Sequence, residues 1–216
     1  MSDEMVREYL QRDRQRGFWM GLVNPFTSLD GAAALALGLV FVAATGAVAV
    51  IGRVAYDGIM DVHAGISAPT VALALMPLLD WLVVALLFWL AGVLMSRGGV
   101  RILDCFAMSA LGRLPFLFVG LIWAEQALGR YLPSLVRVMQ SAPDPTTLVS
   151  QPFFLLVMAG GILTMILMLW GLFLNFFAMR EATGVETQRA IPAYMGIIII
   201  GEIISKLLVG LLLRVV

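Results

Sequence analysis

The sequence has few charged residues for its length, and this scarcity excludes most soluble folds. Of its 216 residues, 13% are charged and 61% are hydrophobic, and the mean hydropathy is +0.97. A soluble globular domain is about 25% charged and about 45–50% apolar. The formal net charge of +0 lacks the basic excess typical of proteins that bind nucleic acids. We therefore expect an integral membrane protein without a nucleic-acid partner.

Cysteine and histidine each occur once. Cys105 alone cannot form an internal disulfide, and we interpret it as a small packing residue. Asp57 and Asp61 could join His63 around a divalent ion, but an exposed polar loop is the simpler interpretation. No Ser–His–acid set with a nucleophile turn is present in the sequence. The sequence therefore predicts no catalytic residue, no metal site and no cofactor.

Five apolar runs are each long enough to cross a bilayer, which takes roughly 20 helical residues. They cover about residues 31–52, 70–95, 103–125, 153–179 and 192–213. Lipid offers no hydrogen bonds to the backbone, so the runs must be helices. Pro192 suits the first turn of the fifth helix. We predict an all-α integral membrane protein, a bundle of five transmembrane helices with short amphipathic interfacial helices.

Residues 1–30 are predicted to form a cytoplasmic amphipathic segment ahead of a transmembrane domain over 31–216. Arginines precede a tryptophan here, a pattern typical of the lipid headgroup level. A frayed cationic tail is the alternative. With two arginines beyond the fourth run, these residues form the predicted cytoplasmic contact face: Arg12, Arg14, Arg16, Trp19, Arg180 and Arg189.

The longest internal loop, residues 126–152, carries an apolar stripe at helical spacing. The stripe comprises Leu128, Tyr131, Leu132, Leu135, Val136 and Met139. Such a stripe predicts a helix that lies on the membrane surface. A helix that packs on the end of the bundle explains the stripe equally well. Pro143 and Pro145 are expected to end this helix.

The arginines in the loops predict the orientation, because positive residues favour the cytoplasmic side. One side holds Arg7, Arg12, Arg14, Arg16, Arg97, Arg101, Arg180 and Arg189, and the other holds Arg53, Arg130, Arg137 and Arg214. This places the N-terminus in the cytoplasm and, after five crossings, the C-terminus on the opposite side.

Four ionisable residues lie near the middle of apolar runs: Asp80, Arg113, Glu202 and Lys206. An unpaired charge at that depth costs about 2.5–3.5 kcal/mol. Glu202 and Lys206 are four residues apart on one helix and can pair locally. Arg113 then needs a partner from another helix, and Asp80 is the expected one. This intramembrane polar network either fixes helix packing or serves as an ion or substrate site.

Three blocks of sequence resemble the Yip family (Ypt-interacting proteins), and most of all its bacterial members. The blocks are Asn24-Pro25; Gly98-Gly99 with Arg101-Ile102-Leu103 and Ser109 through Leu114-Pro115; and Leu172 through Arg180-Glu181, Gly184 and Arg189-Ala190. Together they extend over nearly the whole chain, and the third is the most specific. Arg113 departs from the polar or aromatic residue usual before the leucine-proline pair.

The resemblance implies a five-helix membrane protein with a cytoplasmic N-terminus and no enzymatic activity. Eukaryotic members are tied to Rab GTPases, but no long N-terminal domain is expected here, so that role does not carry over. The first hypothesis is a non-enzymatic protein of the bacterial inner membrane that organises lipids, protein partners or its own copies. A small transporter or channel component using the buried charges is the second, and an accessory subunit of a larger complex is the third. The absence of an inverted repeat in the sequence disfavours transport.

Overall fold

The computed structural model describes Phe26 and residues 31–65, 67–96, 99–141, 146 and 149–216. The predicted N-terminal segment, with Arg12, Arg14, Arg16 and Trp19, otherwise lies outside these residues. In chain order the elements are α1 (Gly31–Gly52), β1 (Val54–Tyr56), β2 (Val62–Ala64), α2 (Thr70–Met95), α3 (Ile102–Leu111), α4 (Leu114–Trp123), a 3-10 turn (Gly129–Tyr131), α5 (Leu132–Ser141), α6 (Phe154–Thr183) and α7 (Thr187–Val215).

Five helical spans are long and apolar enough to cross a membrane, as the sequence predicted. They are α1, α2, the α3–α4 unit, α6 and α7. Within the most apolar stretch of each span, 67% of the α3–α4 residues are buried, against 17% for α6 and 22% for α7. The α3–α4 unit is therefore the centre of the bundle, and α6 and α7 present most of their apolar side chains outward.

The central span is broken at Gly112 and Arg113 for reasons visible in the sequence. Pro115 has no backbone N–H, so it cannot bond to the carbonyl of Leu111 and continue the helix. At the break the Phe116 N–H donates to the carbonyl of Arg113 at 3.0 Å, and the carbonyl of Gly112 accepts a hydrogen bond from Asn175 Nδ2 at 3.0 Å instead. The break is thus compensated by a neighbouring helix, and it directs Arg113 into the interior, where its side chain is 5% exposed.

Two helix bounds differ from the sequence-based expectation. Pro192 does not open the last helix, because α7 begins at Thr187 with Glu186 as its N-cap. The preceding helix continues to Thr183 and ends where Gly184 adopts a left-handed φ of 66°. A left-handed residue at this position is a common helix end that glycine adopts without steric cost. The connection between α6 and α7 is therefore only three residues long, Gly184 to Glu186.

The amphipathic helix predicted after the third run is present as α5. Leu135 on its apolar stripe is buried, whereas Val136 and Met139 are exposed. Just before α5, Tyr131 stacks on Phe153 with ring centroids 5.5 Å apart. One edge of the predicted stripe therefore packs on the bundle, and the other edge remains available to a lipid surface.

Candidate functional site

The connection between α1 and α2 is a β-hairpin that enters the bundle, where the sequence indicated only a polar loop. The strands pair with Val54 opposite Ala64 and Tyr56 opposite Val62, and all three β1 residues are buried. The Tyr56 hydroxyl donates to the carbonyl oxygen of Phe116 at 3.0 Å. Gly120 makes this contact possible, because a Cβ at that position would collide with the Tyr56 hydroxyl.

The hairpin tip, residues 57–61, reaches the middle depth of the bundle. Arg113 Nη1 donates to the carbonyl oxygen of Ile59 at 3.3 Å. Arg113 lies about halfway along the α3–α4 unit, roughly 15 Å from each end at 1.5 Å per residue. Non-helical backbone at such a depth is tolerated where protein buries it, and Ile59 is only 4% exposed. The hairpin tip therefore inserts among the helices of the bundle.

Asp80 and Arg113, the interior pair, line one small cavity. The cavity has a volume of about 10 Å³, and Tyr56 and Thr45 also line it. Among the described residues no direct ion pair joins Asp80 to Arg113, although the sequence pattern predicted them to be partners. Arg113 instead contacts Ile59 and lies over the Phe116 ring, 5.1 Å from its centroid.

The interior pair retains unused hydrogen-bonding capacity toward this cavity. Asp80 accepts a hydrogen bond from Ser205 through one oxygen only. Its other oxygen, Oδ2, and Arg113 Nε and Nη2 are buried without a hydrogen-bond partner. A cavity of this size accommodates about one water molecule, which would suit such atoms. The two opposite charges thus lie close enough to share one cavity.

Glu202 and Lys206 contact the hairpin tip as well as each other. Lys206 Nζ lies 3.4 Å from Glu202 Oε1, as expected for residues four apart on a helix. Their other partners are not apparent from the sequence: Lys206 donates to Asp61 Oδ2 at 2.7 Å, and the Met60 N–H donates to Glu202 Oε2 at 3.1 Å. Lys206 is 47% exposed, so it is not enclosed within the bundle.

The four ionisable residues therefore form two groups with the hairpin tip between them. The carbonyl of Ile59 binds Arg113, and the N–H of the next residue, Met60, binds Glu202. A sequence pattern cannot reveal a junction made by backbone atoms. The strands could have been noticed, however, because Val54-Ala55-Tyr56 and Val62-His63-Ala64 are short β-prone stretches around Gly58.

The same hairpin carries three polar side chains on one face. His63 Nε2 lies 3.1 Å from Asp57 Oδ1 and 3.2 Å from Asp61 Oδ1. Asp57 Oδ1 is buried and has no hydrogen-bond partner. The hydrogen bond from Lys206 holds the pKa of Asp61 below its usual value. The three donor atoms lie within 4.8 Å of one another and could hold a metal ion.

A larger cavity, the turn pocket, lies at the other end of the bundle. It has a volume of about 450 Å³ and lies between the α2–α3 connection and the α6–α7 turn. Five charged residues line it: Arg101, Asp104, Glu181, Glu186 and Arg189. Of the predicted contact face, Arg189 lines this pocket, whereas Arg180 lies over the Phe177 ring, 6.0 Å from its centroid.

Length, apolarity and the buried charges together define a multi-pass α-helical membrane protein. The chain matches the family model of the Yip1 domain over residues 9–207. It therefore belongs to the Yip family, as the three sequence blocks indicated. No curated protein and no solved structure matches the chain.

Proposed function

We propose that this protein is a non-enzymatic membrane protein that binds a protein partner through the turn pocket. One observation carries the proposal: five charged side chains converge on one cavity of about 450 Å³ in a chain of which only 13% is charged. A multi-pass protein of the Yip family is well suited to present such a pocket at a fixed position beside the bilayer.

The charges in the pocket favour a protein segment as the occupant. Arginines and carboxylates both line it, and Arg101 Nε lies 3.6 Å from Asp104 Oδ2. A phospholipid headgroup of one sign would meet repulsion either from the two arginines or from the three carboxylates. A peptide with both signs of charge can complement them, and such complementarity contributes mainly specificity.

We assign the turn pocket to the cytoplasm of a bacterial cell and the hairpin to the opposite side of the inner membrane. The excess of arginines on the side of Arg101, Arg180 and Arg189 supports this orientation. Fusions at the C-terminus test it: alkaline phosphatase should be active there, and green fluorescent protein should be dark. The reverse result would overturn the assignment.

Site-specific cross-linking tests partner binding. A photo-reactive amino acid replaces Met95, an uncharged residue that lines the turn pocket, in the full-length protein in its native membrane. A second variant carries it at Arg214, near the C-terminus on the opposite side of the bilayer. We expect a discrete adduct only from position 95. The same adduct from both positions, or none from either, would contradict the proposal.

A charge reversal then identifies what the pocket recognises. Arg189→Glu should abolish co-purification of the cross-linked protein, while Arg214→Glu should retain it. If no protein co-purifies with the wild type and Arg189→Glu instead removes bound anionic lipid, the pocket binds lipid and the proposed partner class is wrong.

Transport is the second candidate, and the interior pair is the observation that favours it. Ionisable residues within membrane spans commonly mark ion pathways. Reconstituted protein should then give proton or ion flux that Asp80→Asn or Glu202→Gln abolishes. Flux no higher than that of empty liposomes would exclude this candidate.

A further inference from the structure

We propose that Asp57, Asp61 and His63 form a binding site for one divalent transition-metal ion, of which Zn²⁺ is the representative probe. This site lies on the hairpin, at the opposite end of α2 from the turn pocket, and it does not depend on partner binding there. The sequence alone favoured a polar loop for these residues. The hairpin register and the donor distances lead to the new assignment.

The antiparallel register places all three side chains on one face. Ala55 is opposite His63 and Tyr56 is opposite Val62, so continuing the pairing sets Asp57 opposite Asp61. Side chains two residues apart on a strand share a face. Tyr56 points to the other face and is anchored in the bundle by its hydroxyl. The three donors are thus held by a fixed backbone.

The donor separations match a tetrahedral metal site. Zinc binds imidazole nitrogen and carboxylate oxygen at about 2.0–2.2 Å, which makes the edge of a tetrahedron about 3.3–3.5 Å. The His63 Nε2 atom lies 3.1 and 3.2 Å from the carboxylate oxygens of Asp57 and Asp61. All three donor atoms lie within 4.8 Å of one another, so an ion bound between them would have three ligands and a fourth position open.

A hydrogen bond from His63 cannot satisfy both carboxylate oxygens that face it. One Nε2–H can direct a straight hydrogen bond to only one acceptor, although two carboxylate oxygens face it at similar distances. Asp57 Oδ1 is sealed from solvent and accepts no hydrogen bond. His63 Nε2 lies 3.1 Å from this oxygen without forming a hydrogen bond to it, and a bound cation would reduce the cost of leaving the oxygen unsatisfied.

The surrounding groups complete the site. Lys206 binds Oδ2 of Asp61, which leaves Oδ1 directed at His63, and Glu202 holds Lys206 in turn. Such outer contacts commonly orient metal ligands. The local charges come from Asp57, Asp61, Glu202 and Lys206. With His63 neutral, three negative charges and one positive leave −2, which a divalent cation neutralises.

The test measures Zn²⁺ binding to the full chain in detergent, purified through a tag without histidine. We expect one Zn²⁺ per chain, with affinity reduced at least about tenfold by Asp57→Asn, Asp61→Asn or His63→Gln. Asp104→Asn makes the same chemical change at the turn pocket and should leave Zn²⁺ affinity unaltered. Unchanged affinity in the hairpin variants would overturn the proposal.

A second measurement uses the wild-type protein, so it does not depend on whether the variants fold. Because His63 is the sole histidine, ¹⁵N-histidine labelling gives the signals of one imidazole. Stoichiometric Zn²⁺ should shift the Nε2 resonance of the ring. If the signals follow pH alone and ignore Zn²⁺, the triad is an imidazolium held by two carboxylates, and the metal proposal is wrong.

Discussion

The two ends of α2 differ in how they use the few charges of the chain. At the hairpin end, Glu202, Lys206 and Asp61 contact one another and the hairpin backbone at 2.7–3.4 Å. At the other end, charged side chains line a cavity of about 450 Å³. Charges at the hairpin end therefore contact the hairpin itself, whereas charged side chains of the turn pocket border a cavity that another molecule could enter.

This difference predicts that stability is concentrated at the hairpin end and recognition at the turn pocket. A charge removed from the interior pair leaves its partner buried and poorly solvated. At the turn pocket, Arg101 is 70% exposed, so its substitution changes a group that water already reaches. Substitutions matched in chemistry but placed at the two ends can therefore test the comparison directly.

Arg113→Met should have the largest effect. Its loss leaves Asp80, 1% exposed, without the positive charge that lines the same cavity. Removing one partner of a buried charge pair costs about 3–5 kcal/mol. Arg101→Met removes a side chain that is 70% exposed at the turn pocket and should change stability by only about 0.5 kcal/mol. The free energy of unfolding in mixed micelles measures both.

Coupling between the two interior charges can be tested in the same background. Adding Asp80→Asn to Arg113→Met should recover part of the lost stability, because the uncompensated carboxylate is gone. If the second substitution adds its own full cost instead, the two residues do not compensate each other. Equal losses for Arg113→Met and Arg101→Met would remove the contrast between the ends.

Gly120→Ala should have an intermediate effect, since it forces the hairpin out of position. A Cβ at Gly120 collides with the Tyr56 hydroxyl, whereas one at Gly161 in α6 meets nothing within 4 Å. Overpacking costs about 1–3 kcal/mol, while alanine in an open helical site gains up to about 1 kcal/mol. Thermal unfolding of Gly120→Ala and Gly161→Ala should therefore shift in opposite directions.

Removing the Tyr56 hydroxyl should relieve the collision that Gly120→Ala creates. Tyr56→Phe alone should cost about 0.5–1.5 kcal/mol through the lost hydrogen bond to Phe116. In the Gly120→Ala background the same change should cost less than this or restore stability, because the colliding atom is absent. Additive losses in the double variant would show that the hairpin does not pack against Gly120 in this way.

The five spans were predictable because length and apolarity suffice in a lipid environment. The break at Gly112 was also visible, since Pro115 cannot continue a helix. The helix start at Thr187 could not be predicted, because Pro192 suggested a later start. Pro192 in fact lies inside α7, between the buried residues Ala190 and Tyr194. Local signals thus identified the elements and left their exact ends to tertiary contacts.

The hairpin illustrates what the sequence could not provide. Two strands of three residues are too short to be stable alone. They form here because Val54 and Tyr56 are buried against α2 and α4 and because the tip bonds to Arg113. The sequence placed Asp80 and Arg113 at similar depth, but only the tertiary structure shows the hairpin tip between the two charged groups.

The smallest expected effect is a pH dependence of the hairpin end. The Lys206 hydrogen bond lowers the pKa of Asp61 relative to the unfolded chain. A carboxyl with a lowered folded-state pKa stabilises the fold above its unfolded pKa, and this contribution disappears as the pH falls through the folded value. Wild-type protein should therefore lose stability below about pH 4 to a greater extent than Asp61→Asn.

Asp104→Asn provides the matched control at the turn pocket, and all samples contain a chelator so that no metal bridges the hairpin. Melting temperatures between pH 7 and 3 should follow the wild-type course in Asp104→Asn and a flatter course in Asp61→Asn. If Asp61→Asn follows the wild type, the contact with Lys206 does not stabilise the hairpin. The two ends would then differ in the geometry of their charges but not in what those charges contribute to stability.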